Sequence, residues 1–459
     1  MAGKTYVCID LKSFYASVEC RARGLDPFKD NLVVADKARG RTTICLAITP
    51  AMKALGIPNR CRLFDIPAGV KYVAARPRMR RYMEVSAQIY AIYLRYVSPE
   101  DIHVYSIDEC FIDATPYLSL YRTDARSFAK TLMGAVMKET GICATAGAGP
   151  NLFLAKVALD VMAKHADDNI GFLDEHLFKR KMWFHQPITD IWGIGPGIAR
   201  RLAKYGVRDL AGVAAMRPAT LLKEFGVAAE YLIDHAWGLE PCTIADVRAY
   251  EPERHSIVNG QILPCGYSFE DARMVLGEMV EGSVLDLVEK GLACQHISLA
   301  VGYVEGEGAE GASGAGAAGP ADALNADGLE DVVFDGGHGK RRRGNKFGAG
   351  RTGGGRKLER CTNSLRFLRS RFEQLFDETT RRDALVRRMS IGLGCLVPEE
   401  QATVTLLDDV EADAKEHRLE EAMVAVRGKF GKNSLLKATS LQEKATARER
   451  NNQVGGHHA

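Results

Sequence analysis

The chain has 459 residues, 46% of them hydrophobic, and a formal net charge of +3. That length accommodates about three domains of ordinary size, while a charge so near balance names no partner, so any nucleic-acid footprint must come from local clusters. Eleven cysteines lie scattered with no Cys-x-x-Cys pair, which argues against a zinc site and a disulfide framework, and no apolar run approaches the ~20 residues that cross a bilayer; a reduced, cytoplasmic protein without a membrane span is expected.

The first strand signal is Tyr6-Val7-Cys8-Ile9-Asp10, apolar up to its terminal carboxylate. Helical spacing follows at once over Leu11-Lys12-Ser13-Phe14-Tyr15-Ala16-Ser17-Val18-Glu19, with a serine suited to an N-cap. Strand-like runs recur at 31–35, 43–48, 101–107, 110–113 and 143–148, alternating with helical ones over residues 1–170, the pattern of an α/β or α+β domain. Between them Arg76-Pro77-Arg78-Met79-Arg80-Arg81-Tyr82 opens an amphipathic helix whose basic start runs against the macrodipole and reads as a solvated charged face.

The run His103-Val104-Tyr105-Ser106-Ile107 leads into Asp108-Glu109 and then Cys110-Phe111-Ile112-Asp113, so the acidic pair falls where a hairpin could reverse. Adjacent strand residues point to opposite faces, so Asp108 and Glu109 can share one site only if a turn or bulge bends the backbone there. Asp10, Asp108 and Glu109 read either as ordinary strand-end acids or, gathered together, as a two-metal site. Gathered carboxylates repel and raise one another's pKa unless a cation neutralises them, and Mg²⁺ favours a sparse carboxylate set that leaves room for phosphates.

Residues 150–164 begin with Pro150 at a plausible first helical position and continue with good helix formers. Lys156, Asp160 and Lys164 are spaced to share one face, as a surface salt-bridge ladder or as a phosphate contact. Residues 187–240 read as short helices containing Ile191-Trp192-Gly193-Ile194-Gly195-Pro196-Gly197-Ile198-Ala199-Arg200-Arg201-Leu202. Gly193, Gly195 and Gly197 form a loop whose backbone N–H groups can face a phosphate at a helix start, a sequence-independent grip on DNA of the helix-hairpin-helix kind.

From residue 250 the order is strand (256–266), helix (270–290), strand (295–303), an interruption, strand (361–367), helix (368–383), strand (385–396), a β-α-β-β-α-β domain. The interruption, about 305–355, is dominated by Gly, Ala and acids and then turns basic at Lys340-Arg341-Arg342-Arg343; such a composition is expected to form a disordered loop. The tail after Val397 has an acidic stretch, a helix near 418–430 and a polar end, Gly455-Gly456-His457-His458, expected to be disordered rather than a metal site.

Taken together, these segments resemble the Y-family translesion DNA polymerases, specifically their bacterial UmuC-like, UV-damage-repair branch. The resemblance rests on Cys8 to Glu19, on Tyr105-Ser106-Ile107-Asp108-Glu109-Cys110-Phe111-Ile112-Asp113 and on Lys429-Phe430-Gly431-Lys432-Asn433. It implies an α+β, multidomain right hand: palm from 1–20 and 77–170, fingers 21–76, helical thumb 171–240, a βαββαβ little finger at 245–400, and a tail from 401 to 459. It further implies two Mg²⁺ ions on Asp10, Asp108 and Glu109 with the Leu11 carbonyl, Tyr15 beside Phe14 as the gate against ribose, Lys156 and Lys53 at the triphosphate, and Gly193, Gly195 and Gly197 on DNA. Pro50 stands where some relatives carry a tyrosine. The implied partners are primer-template DNA, dNTPs and the sliding clamp, for which Gln401-Ala402-Thr403-Val404-Thr405-Leu406-Leu407 is a degenerate peptide.

Overall fold

Tyr6–Leu11 forms a strand, β1, that is buried on both faces, as only a central strand can be. Val7, Ile9 and Leu11 enter one hydrophobic core and Tyr6 and Cys8 another, so Asp10 falls on the Cys8 face near the strand's end. The computed structural model describes residues 3–251, 256–304, 350–403 and 409–458. They belong to two compact units, Met1–Glu251 and Pro252–Ala459.

In chain order the first unit runs β1, α1 (Phe14–Ala22), β2 (Leu32–Val34), β3 (Ala47–Ile48), α2 (Pro50–Ala54), β4 (Val73–Ala75), α3 (Met79–Tyr93), β5 (Ile102–Val104), β6 (Glu109–Asp113), α4 (Thr115–Leu120), α5 (Ala125–Thr140), β7 (Ala144–Gly149), α6 (Leu152–Val157) and β8 (Ile170–Phe172). Six short helices follow: α7 (Glu175–Met182), α8 (Pro196–Ala203), α9 (Leu210–Ala215), α10 (Pro218–Phe225), α11 (Ala228–Ala236) and α12 (Ile244–Ala249).

Five strands form the main sheet in the order β5-β6-β1-β7-β8, antiparallel except for β7 with β8. Phe14 and Val18 of α1, Tyr82 and Ile89 of α3 and Phe128 and Leu132 of α5 cover the Val7–Ile9–Leu11 face. Leu152 and Ala155 of α6 cover the other face over Cys8 and Phe111. The small sheet β3-β2-β4 has its own core of Val33, Cys45, Ile48, Met52 and Cys61. The run expected as a strand at 43–48 is reduced to Ala47–Ile48, because residues 43–45 bond locally to 61–63 through Leu63 N–H to Thr43 and Cys45 N–H to Cys61.

The helix begun at Leu152 is not uniform. After Val157 it widens into a π turn, Ala158–Met162, and then tightens at Ala163–His165. The single face expected for Lys156, Asp160 and Lys164 is therefore broken after its first step. Gly147 of β7 and Gly171 of β8 lie directly under this stretch, where any Cβ would run into the backbone of Ala155, Ala158 and Leu159.

The second unit holds β9 (Ser256–Tyr267), α13 (Phe269–Glu289), β10 (Leu292–Tyr303), β11 (Arg351–Thr362), α14 (Leu365–Thr379), β12 (Val386–Gly394), β13 (Val397–Pro398), α15 (Val410–Phe430), α16 (Ala447–Arg450), β14 (Gln453–Val454) and β15 (His457–His458). The βαββαβ order holds, in an antiparallel sheet β11-β10-β12-β9 with α13 and α14 sharing its core. The strand expected at 361–367 instead ends at Thr362, since the Ser364 side chain accepts from the Phe367 N–H and caps α14. Residues 351–355 belong to β11 rather than to the interruption: Gly353 pairs with Ala300 at φ +133°, a backbone only glycine takes easily. The rest of the interruption, 305–349, lies outside the described residues. The terminal Gly455-Gly456-His457-His458 is a correction too. Both glycines have positive φ, as a tight two-residue turn needs, and close a β14–β15 hairpin.

Among the described residues no helix is long and apolar enough to cross a membrane. None of the eleven cysteines is disulfide-bonded.

Candidate active site

The β5–β6 hairpin sets the acidic pair. The N–H groups of Tyr105 and Ser106 both donate to the Glu109 carbonyl at 3.0 Å, which ends β5 at Val104 rather than at residue 107. Asp108 is thus the last residue of the turn and Glu109 the first of β6, and the bend that adjacent carboxylates need is present. Glu109 is the register partner of Asp10 across β1 and β6, and the Leu11 N–H donates to the Asp108 carbonyl at 3.0 Å. The Ser106 hydroxyl donates to Asp108 Oδ1 at 2.8 Å and the Ser86 hydroxyl to the Ile107 carbonyl at 2.6 Å, which pins the turn from both sides.

Electrostatics shows how closely the acids crowd. Burial, then the charges of Asp108 and Glu109, push the Asp10 carboxyl up to about 7, against the pull of Lys156. The Lys156 ammonium, itself buried, lies 2.7 Å from Glu109 Oε1 and 3.2 Å from Asp160 Oδ1. Burial lowers its pKa, but Asp160 and Glu109 together raise it above the ordinary lysine value. The Cys8 thiol, wholly buried, also donates to Glu109 Oε1 at 3.2 Å.

The oxygen-only donor set and the mutual repulsion held by Asp10 fit a hard divalent cation. Among the described residues, however, no group of three His, Cys, Asp or Glu side chains stands ready to grip one ion, and Glu109 is turned toward Lys156 and Cys8.

Tyr15 stands beside the acids, where burial and then the charge of Asp108 raise its pKa. Its ring stacks on Tyr82 at 4.3 Å between centroids and 16° between planes. Phe14, by contrast, is 2% exposed in the core, so only its backbone can face a ligand. Ser13 occupies the N-cap position of α1 without capping it: it lies in the left-handed region at φ 48°, and its buried hydroxyl has no partner among the described residues. Lys53 on α2 has its pKa lowered by its surroundings and by Lys164 and Lys12, and held up by Asp10. A group of cations therefore borders the carboxylates.

The glycine loop has the expected shape. Gly193 has φ +87°, Gly195 precedes α8, Pro196 is at its first turn, and a Cβ on Gly193, Gly195 or Gly197 would meet nothing within 4 Å. The loop face is open. Of the two arginines behind it, Arg201 is committed to Glu224 at 2.9 Å and to the Phe225 ring, while Arg200 is exposed.

Several neighbours of the site escaped sequence reasoning. Glu19, fully buried, receives Arg78 Nε and Nη2 at 2.9 and 3.0 Å, the Tyr82 hydroxyl at 2.9 Å, and Arg23. Burial raises its pKa, but Arg78, Arg23 and Tyr82 bring it below the usual glutamate value. Arg78 is exposed like the rest of that charged face, yet its guanidinium also clamps the buried Glu19; the only signal of this partnership in the sequence was a basic helix start that contradicts the macrodipole. Lys12, Cys8 and Trp192 had no signal beyond their place in quoted segments.

The model of the impB/mucB/samB family matches residues 9–160, the span that carries β1, the hairpin and Lys156. A DNA polymerase IV of Neisseria meningitidis serogroup B (strain MC58) is 30% identical over 312 residues, covering 65% of this chain and 90% of the relative. The chain belongs to the UmuC-like branch of the Y-family DNA polymerases. A Bacillus subtilis (strain 168) relative named for UV-damage repair, UvrX, is 27% identical over 457 residues, covering 99% of this chain and 97% of its own. A solved Y-family DNA polymerase chimera of Dbh and Dpo4 shares the fold with a TM-score of 0.58 at 18% identity, over 86% of this chain and 99% of the other. The mixed α+β, multidomain architecture expected of the Y family is therefore the one found.

Proposed function

We propose that this Y-family polymerase extends primers past damaged bases by transferring nucleotidyl groups from dNTPs, with Asp10, Asp108 and Glu109 as its catalytic carboxylates. The supporting observation is the approach of these three acids at the adjoining ends of β1 and β6, where Asp10 is pushed up to about 7 by burial and by the other two. Asp10, Asp108, Glu109 and the Leu11 carbonyl would hold two Mg²⁺ ions. Bound there, the metal would acidify the primer hydroxyl and neutralise phosphate charge. Phosphoryl transfer leaves a protein mainly positioning and charge compensation. Lys156 and Lys53 would meet the triphosphate, and the partnerless Ser13 hydroxyl lies in the same stretch as Phe14, whose backbone could follow the phosphates. The Tyr15 ring, stiffened by Tyr82, would fill the space of a ribose 2′-hydroxyl.

In this reading residues 1–20 and 77–170 act as palm, 21–76 as fingers, 171–240 as thumb, with Gly193, Gly195 and Gly197 on the DNA backbone, 245–400 as little finger and 401–459 as tail. The substrates are primer-template DNA and dNTPs. The sliding clamp would dock on 401–407, of which 404–407 lie outside the described residues. Eleven unpaired cysteines suit a cytoplasmic setting.

Primer extension on undamaged and abasic templates with Mg²⁺ tests the proposal. Asp108→Ala is expected to lose roughly a hundredfold or more of the activity while retaining DNA binding, and Tyr15→Ala to gain ribonucleotide incorporation. Full activity in Asp108→Ala would end the proposal.

A further inference from the structure

Trp192 sits in the glycine loop, yet its side chain points back toward the acidic hairpin. The indole N–H donates to the Tyr105 hydroxyl at 3.2 Å, and the two rings meet edge to face at 5.9 Å. Phe111 of β6 closes the cluster, 5.7 Å from Tyr105 and 6.1 Å from Trp192. On its other side Trp192 stacks near His235, which lies flat on Phe153 at 4.0 Å. Tyr105 belongs to the turn that holds the acids, since its own N–H donates to the Glu109 carbonyl. Its ring also lies 6.0 Å from the Lys156 ammonium that grips Glu109.

Core packing alone does not account for this arrangement. Trp192 is only half-buried, packed at the edge of the helical core, and Tyr105 is 46% exposed, so burial does not by itself fix how the two rings meet. What the contact does is join two segments 87 positions apart, one open for phosphate and one carrying the carboxylates. Edge-to-face rings joined by a hydrogen bond fix orientation as well as distance.

We propose that Trp192 is a positioning residue: through Tyr105 it sets the β5–β6 turn, and with it Asp108 and Glu109, according to the seating of the glycine loop on duplex DNA. The inference rests on the reading of the acids as catalytic and of the loop as a DNA grip, and adds that the two are mechanically coupled. Lys156 takes part because a shift of the Tyr105 ring moves the cation's environment and so its hold on Glu109.

The test uses the full chain with Trp192→Phe, Tyr105→Phe, the double variant and Trp192→Ala, measuring single-turnover extension, primer-template Kd and Tm. Each Phe variant keeps a ring but removes the hydrogen bond, and is expected to slow extension about three- to tenfold. The double variant should be no slower than either single one, because both remove the same bond. Kd should move less than about twofold and Tm by less than about 2 °C, within the range of a minor stability change. Trp192→Ala should be slowed further at unchanged Kd. Unaltered extension in either Phe variant, multiplying effects in the double variant, or a slowdown matched by weaker DNA binding or a lower Tm would each overturn the coupling. The parent reading fails separately, by full activity in Asp108→Ala.

Discussion

Asp10 bears a cost that its neighbours impose. Its carboxyl has a folded-state pKa of about 7 against an ordinary 3.8, so the folded chain holds this proton more tightly than the unfolded one. The stability linked to it is fully present below the unfolded value and is lost as pH rises toward 7; above that, the ionised form is carried at a cost. Asp10→Asn removes the charge while keeping the shape. In metal-free buffer it is expected to stabilise the fold at pH 8 by about 1–2 kcal/mol, well under the full conversion of the shift because relaxation and water penetration around a buried charge reduce its cost. At pH 4 it should change little. Thermal melts at the two pH values check this, and an equal gain at both would show that the crowding is not electrostatic. Asp10 itself was legible in the sequence, because a lone acid closing an apolar strand stands out. Glu19 and Arg78 were not: they pair across 59 positions, and no periodicity carries such a partnership.

At the level of elements, the helix over 150–164 was legible from its proline start and its helix formers, but its π turn was not. That turn depends on Gly147 and Gly171 lying beneath it on neighbouring strands, a contact between segments that local pattern does not encode. The close approach also makes Gly147 a strict position. A methyl group there meets the Ala155 carbonyl and the Leu159 backbone, neither of which can give way without moving Lys156. Gly147→Ala is expected to lower stability by about 2–3 kcal/mol, seen as a Tm fall of roughly 5–10 °C. Gly197→Ala is the control, because its Cβ would meet nothing and alanine favours a helix. Equal melting of the two variants would mean that the helix and sheet can separate at little cost. The hairpin turn belongs to this scale as well: the reversal at Asp108-Glu109 was visible in sequence, while its anchors Ser86 and Ser106 emerged only from the fold.

At the scale of the whole molecule, the second unit is completed by chain that follows its βαββαβ core. Sequence suggested a polar tail with one helix, yet α13 is buried along most of its length and carries the inward acids Glu278 and Glu281. The tail supplies their partners. Glu278 Oε2 accepts from the N–H groups of Thr446 and Ala447 at 2.9 and 3.0 Å, and Glu281 pairs with Arg427 at 3.1 Å and Lys437 at 2.9 Å. Arg450 adds a bond to the Glu278 carbonyl at 3.1 Å. A buried carboxylate stripped of its donors costs far more than the pair contributed when intact. Removing residues 431–459 strips Glu278 of these donors and Glu281 of Lys437, and uncovers one side of α13. The truncated chain is expected to lose more than about 3 kcal/mol from the second unit while the first unit, whose cores contain no residue of this segment, melts as before. Calorimetry resolves the question by following each unit's transition separately. Glu278→Gln should give a smaller loss of the same sign, because an amide oxygen still accepts from Thr446 and Ala447. A second unit that melts unchanged without the segment would show that these contacts add nothing to its stability.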